Sequence, residues 1–238
     1  MAREFEIRRE VEFAAPAEAV FDAVTTGQGG WLWPIEFEPR VGGTSTMGGA
    51  VTVWDPPHHF ANRAEGPDGW FNSLDFVIER RGETGAVLRY VHSGIFDDNW
   101  DTQYDGASRH TDFYLDTLRQ YVEHFAGRRA VYLSVDAPAR SAGHDAMAIL
   151  QRGLGIGGPA SVGQTIAVPV SEGLSQQAVV DFWGDQFIGL RSVDALYRFF
   201  GRDAWGGPLS LSIHAFAESV DEARTSEAWS RWLGSLYP

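Results

Sequence analysis

Over residues 114–125 the apolar positions fall at Tyr114, Leu118, Tyr121, Val122 and Phe125. Their offsets of 4, 7, 8 and 11 place them on one face of an α-helix. Residues 88–96 read as a strand, and an acidic loop, Asp97-Asp98-Asn99-Trp100-Asp101, joins strand to helix. At the start of the chain, Phe5, Ile7, Val11 and Phe13 stand among charges over residues 4–13, the pattern of a half-exposed strand. Ala14-Ala15-Pro16-Ala17 breaks that strand and opens a helix, because proline suits a first helical turn. Val20, Phe21 and Val24 give this helix its apolar face, and it ends by Gly27. Trp31-Leu32-Trp33-Pro34 is too short and too aromatic for an exposed helix; it reads either as a lid over a pocket or as a plug at the end of the sheet.

Residues 37–96 have the character of a β meander. Gly42-Gly43 and Gly48-Gly49 signal turns or bulges, and strands are predicted at 51–54, 70–78 and 86–96, with a hairpin turn over 79–85. Past Gly127 the order begins again. Residues 130–135 form a strand, Ala137-Pro138-Ala139 echoes Ala15-Pro16-Ala17, and Met147, Leu150 and Leu154 share a helix face whose loose end runs through Gly153-Leu154-Gly155-Ile156-Gly157-Gly158-Pro159. Strands follow at 164–169, 178–183, 186–190 and 209–216, the last resembling 88–96 with a histidine near its end. A closing helix over 220–236 carries Trp229, Trp232, Leu233 and Leu236 on one side. A repeat of about 110–120 residues accounts for this order, with the second copy diverged and shorter in its middle.

Composition narrows the function. The 238 residues carry a net charge of −13, which disfavours nucleic acid and anionic membrane surfaces as partners. There is no cysteine, so disulfides, thiolate nucleophiles and cysteine-based zinc sites are excluded. The N-terminus lacks a signal-peptide pattern and no apolar run approaches the ~18 residues of a membrane span, so a cytoplasmic protein is expected. Nine Trp, seven Tyr and fifteen Phe supply core, and also the kind of side chain that lines cavities for apolar ligands.

The set Val11-x-Phe13-x-Ala15-Pro16-x-x-x-Val20-Phe21-x-Ala23-Val24-Thr25, the Gly42-Gly43 and Gly48-Gly49 pairs, Val53-x-Asp55-Pro56-Pro57, Val91-His92-Ser93-Gly94 and Leu115-x-x-Leu118-x-x-Tyr121-Val122-Glu123 resembles a known superfamily. It is that of the START-related, polyketide-cyclase-like and Bet v 1-like helix-grip proteins, and within it the branch named for the activator of the heat-shock protein 90 ATPase. The resemblance covers residues 5–126; the second half carries it through Ala137-Pro138 and the final strand–helix pair. It implies an α+β helix-grip fold, a curved antiparallel sheet around a long C-terminal helix with a cavity between. Two tandem copies are expected, 1–127 and a degenerate 128–238. It further implies binding of a small apolar or amphipathic ligand without metal or cofactor, with cyclase-type chemistry or a chaperone partner as alternatives.

The candidate residues follow from that frame. Trp31, Trp33, Trp54, Phe71, Phe76, Tyr90, Trp100 and Tyr114 are expected to line the first cavity, although core packing would also use them. His92 shares a strand face with Tyr90 and Gly94, while His110 and Asp112 lie near the start of the long helix. A histidine pair with an acid could perform acid–base chemistry; His92 could equally be a hydrogen-bonded polar residue in an apolar pocket. The acidic loop at Asp97 lacks the alternating oxygens and closing glutamate of a calcium loop and fits a helix start better. Residues 42–49 lack the lysine of a phosphate loop, and the adjacent His58 and His59 would point to opposite faces of a strand, unsuited to one metal.

Overall fold

The computed structural model describes residues 2–46, 48–158, 161–171 and 174–238. Met47 in the glycine-rich stretch and Pro159 in the loop after the second-half helix lie outside the described residues. The chain divides into two compact units, Met1–Arg128 and Arg129–Pro238.

In the first unit, β1 (Arg3–Phe13) is followed by α1 (Ala17–Val24), β2 (Ala50–Asp55), β3 (His59–Glu65), β4 (Phe71–Arg81), β5 (Gly85–Phe96) and α2 (Trp100–Phe125). The five strands form one antiparallel sheet in the order β1-β5-β4-β3-β2. Strand parity sorts the side chains into two faces. Ile7, His92 and Leu74 lie across from one another on the concave face, as do Leu88 and Ile78, and Tyr90, Phe76 and Phe60. The other face carries a ladder of exposed ion pairs, among them Arg8 with Glu6 and Arg89 with Glu10 and Glu79. Pro16, extended, precedes α1, which buries Val20, Phe21 and Val24.

Helix α2 begins after Asn99, whose left-handed backbone (φ 42°) makes the turn out of the strand. The acidic loop is thus a helix start, although neither Asp97 nor Asp98 caps it through a backbone amide. Instead the Gln103 amide reaches back to the carbonyl and side chain of Asp98. The pattern did not predict β3: its concave positions Phe60, Asn62 and Ala64 hold a single large apolar residue, so the alternation is faint. His58 lies in the turn before that strand, while His59 opens it and contacts the Asp75 carboxylate at 3.1 Å.

The second unit runs β6 (Val131–Asp136), α3 (Ala146–Gly153), β7 (Thr165–Ser171), β8 (Leu174–Trp183), β9 (Phe187–Arg191), β10 (Ala195–Phe200), β11 (Ser210–Ala215) and α4 (Glu222–Leu236). Its antiparallel sheet has the order β6-β11-β10-β9-β8-β7, so in both units the first strand pairs with the last and the rest form a meander. Both units are helix-grip folds in tandem. The second sheet has six strands against five in the first, although the stretch between its first α-helix and its last strand, 154–209, is slightly shorter than the corresponding 25–84 of the first unit. The strand missed by the pattern is β10, all of whose six residues are buried, with Arg198 in the middle of the apolar run. Arg198 is accommodated there by a two-pronged pairing with Asp181 on β8, at 2.9 and 3.0 Å. Edge strands β6 and β7 both reach α4, so the sheet curls around that helix. No helix among the described residues is long and apolar enough to cross a membrane.

Candidate functional site

Between the concave face of the first sheet, α2 and the segment after α1 lies a cavity of about 260 Å³. That segment is fixed rather than loose. Residues Gln28–Gly30 form one turn of 3-10 helix, and Gly30 lets the ring of Tyr121 on α2 come so close that a Cβ there would sit 2.3 Å from it. Trp31 follows, 4% exposed, with its indole N–H donating to the Ala23 carbonyl at 2.9 Å. Trp31, Leu32 and Trp33 therefore make an anchored wall. Strands β4 and β5 contribute Asn72, Leu74, Phe76, Tyr90 and His92, and α2 contributes Ala107, His110, Thr111, Tyr114 and Leu115.

Of the aromatic residues expected in the lining, Trp31, Trp33, Phe76, Tyr90 and Tyr114 meet here, together with His92 and His110. Trp33 and Tyr114 pack edge to face at 5.8 Å. Three expectations are corrected. Trp54 packs on Phe21 and Phe60 and borders a separate recess of about 250 Å³ with Thr25, Ile35 and Phe37. Phe71 lies on the other parity of β4 and stacks under the Arg63 guanidinium at 3.9 Å. Trp100, in the first turn of α2, stacks on Tyr104 and donates to the Glu4 carbonyl. Asp112 is corrected as well: its side chain pairs with Arg9 at 2.5 Å, is about half exposed, and is no part of the cavity wall.

Among the described residues the lining contains no Asp, Glu, Lys or Arg. His92 is held at Nε2, 3.0 Å from Asn72 Oδ1, and its ring meets Phe5 edge-on at 4.9 Å. With no carboxylate beside it, burial alone pushes its pKa down to about 4, so it is neutral near pH 7. His110 stands 2.7 Å from the Gly106 carbonyl through Nδ1; a carbonyl only accepts, so Nδ1 carries the hydrogen. Burial raises the Tyr90 phenol, which hydrogen-bonds with Thr111.

Two further polar atoms in the walls are buried without a partner, Gln28 Oε1 and Trp33 Nε1. The Gln28 amide nitrogen donates to the Val24 carbonyl at 3.0 Å, which fixes the orientation of the amide and leaves the oxygen as the unmatched atom. An unmatched buried acceptor or donor costs about 1–3 kcal/mol. Sequence reasoning missed Gln28 and Asn72. Gln28 stands among Gly27, Gly29 and Gly30 and reads as loop; Asn72 belongs to the cavity face through the period of two that also places Leu74 and Phe76 there. Among the described residues no group of three or more His, Asp or Glu side chains is placed to share a metal ion.

No protein-family model matches the chain and no curated protein matches it. Solved structures with a similar fold include DynU16, from the dynemicin biosynthetic locus, 15% identical over 97% of each chain with a TM-score of 0.43. They also include the Aha1 dimer from Colwellia psychrerythraea, 20% identical over 50% of this chain and 96% of that one, with a TM-score of 0.41. CalU16 from Micromonospora echinospora is 16% identical over 51% of this chain and 86% of its own, with a TM-score of 0.39. At these identities and scores none carries an argument about function.

Proposed function

We propose that the first unit is a binding module for a small, largely apolar ligand, held in the cavity between α2 and the sheet. The observation that carries this reading is the cavity itself. Its volume of about 260 Å³ exceeds the ~150 Å³ of an engineered apolar cavity that holds benzene. Its walls are aromatic and aliphatic with a few inward polar groups, the composition of a small-molecule site. The resemblance of residues 5–126 to helix-grip proteins of the START and polyketide-cyclase type implies the same use of the space.

Acid–base catalysis through His92 draws less support. A base is most effective with a pKa near the working pH, and His92 lies far below it with an amide, not a carboxylate, as its partner. Asp112, the expected acid, is engaged with Arg9 outside the cavity. A co-chaperone-like docking role calls for an apolar patch, whereas the exposed large apolar residues among the described ones are Val41, Val162 and Val193, each in a different loop.

Titration with the neutral fluorophore N-phenyl-naphthylamine tests the reading. Saturable binding with one site per chain is expected, displaced by smaller apolar compounds and weakened by about tenfold or more in Ala107→Phe, which fills the space from α2. Absence of saturable binding, or equal binding by the filled variant, overturns it.

A further inference from the structure

Resting on that reading, we infer that the first-unit cavity and the recess beside Trp54 are two ends of one site for an elongated, uncharged, largely apolar molecule, with Ile35 as the residue that sets how far it reaches. Ile35 lines both spaces, of about 260 and 250 Å³, so the two adjoin at its side chain. They also share one row of the sheet. Trp54 on β2, Phe60 on β3, Phe76 on β4 and Tyr90 on β5 are register partners on successive strands. Phe76 and Tyr90 line the cavity and Trp54 lines the recess. Phe60 lies between them, stacked on Phe76 at 5.7 Å and edge-on to Trp54 at 5.8 Å. Neighbouring strands lie ~4.8 Å apart, so the row from Tyr90 to Trp54 runs about 14 Å.

The strap of residues 33–37 covers that row. Trp33, Ile35 and Phe37 are partly buried and alternate with exposed Pro34 and Glu36. Trp33 lines the cavity, Phe37 the recess, and Ile35 both. The strap is tied on either side. The Leu32 N–H donates to the Gln28 carbonyl at 2.8 Å, and Glu36 exchanges two hydrogen bonds of 3.1 Å with Thr46. Among the described residues no backbone hydrogen bond holds Trp33, Pro34 or Ile35 between those ties. Moving Ile35 aside, so that a ligand passes over Phe60, therefore breaks no backbone hydrogen bond. Neither lining holds a Lys or Arg among the described residues, and Glu36 borders the recess, so an anionic end would find no counter-charge in either space.

The experiment measures hexanol, octanol, decanol and dodecanol, with dodecanoate beside them, by displacement of N-phenyl-naphthylamine from the full chain. The series is repeated with Thr26→Trp, which fills the recess from an exposed position that does not line the cavity, and with Ile35→Ala, which opens the junction. Affinity should rise by up to about fourfold per methylene through dodecanol, the gain of a buried CH₂ group. Dodecanoate should bind about tenfold or more weakly than dodecanol. The ratio of dodecanol to hexanol affinity should fall by about tenfold or more in Thr26→Trp and rise severalfold in Ile35→Ala. Circular dichroism and hexanol binding identify any variant that has lost its fold; Ile35→Ala decides the matter alone if Thr26→Trp unfolds. An affinity that stops rising at octanol, or a ratio unchanged in the folded variants, overturns the inference while leaving the cavity a binding site. Equal affinity for dodecanoate and dodecanol overturns the uncharged class. Failure of every compound and of the fluorophore to bind overturns both the inference and the reading it rests on.

Discussion

Where α4 lies over the second sheet, the indole of Trp229, 1% exposed, rests on Tyr197 at 5.3 Å and Phe199 at 6.1 Å, with Leu233 buried beside it. Where α2 lies over the first sheet, Ala107, His110, Thr111 and Tyr114 face Leu74 and His92 across about 260 Å³ of open space. The strand order is the same in both units up to one added strand. What differs is the volume and polarity of the side chains on the closing helix. The same strand order thus accommodates a closing helix that packs a large aromatic onto the sheet, as at Trp229, and one that leaves open space, as around Ala107, a difference set by side chains on the helix face rather than by topology.

The comparison is most exposed to failure at Trp229. Trp229→Ala should destabilise the second unit by about 3–5 kcal/mol, as truncation of a buried tryptophan does. Hydrogen exchange of second-unit peptides in urea would measure it, and a cost below about 1 kcal/mol would mean that the second core is not packed around that residue.

His92 gives the next largest effect. Its pKa in the folded chain is about 4, below the ~6.5 of an unfolded histidine. Above pH 6.5 both states are neutral there and its burial carries no protonation penalty. As the pH falls toward 4 the unfolded chain takes up a proton that the folded chain refuses, so stability drops by up to about 3 kcal/mol across that window. His92→Leu should flatten this part of the pH dependence in the first unit, read as the change in denaturation midpoint between neutral and mildly acidic buffer. An unchanged slope would show that His92 is not shielded as its surroundings imply.

Paired enlargements sharpen the contrast directly. Ala178→Phe, at a residue 1% exposed in the second core, should cost about 1–3 kcal/mol by overpacking. Ala107→Phe should cost less than about 1 kcal/mol, because it enters open space. Equal costs would erase the distinction between the packed surroundings of Ala178 and the open space beside Ala107.

Much of this contrast was legible in the chain, and the rest was hidden for identifiable reasons. The helix face of Tyr114, Leu118 and Val122 and the strand pattern around His92 follow from periodicity alone, and so does the placement of Tyr90 and His92 on one face. The sequence echo between 88–96 and 209–216 misleads in one respect. His92 lies on the concave face across from Ile7, whereas His214 lies opposite Tyr132, on the face away from Ile213 and Leu211 and hence from the second core. A shift of one position in a period of two reverses the face. Strand β10 escaped because Arg198 interrupts an apolar run, and only its distant partner Asp181 explains a buried guanidinium. Trp54, Phe71 and Trp100 were expected in the lining because they are aromatic, but register sends Phe71 to the other face and chain position carries Trp100 to the far end of α2.

The smallest expected effect concerns Asp112. It accepts from Arg9 Nε at 2.5 Å, and the same guanidinium reaches Ser108 Oγ at 2.9 Å. With Asp112 about half exposed and Arg9 a third, the pair should contribute about 0.2–1 kcal/mol and weaken with salt. Asp112→Asn should leave probe affinity within about twofold of the parent chain, because the residue is no part of the cavity wall. Were Asp112 instead a partner to His92, its loss would shift the histidine's titration, which NMR of the ring protons reads without knowledge of any ligand. An unmoved His92 titration in Asp112→Asn separates the polar groups of the container from those of its outer surface, and a displaced one would join them.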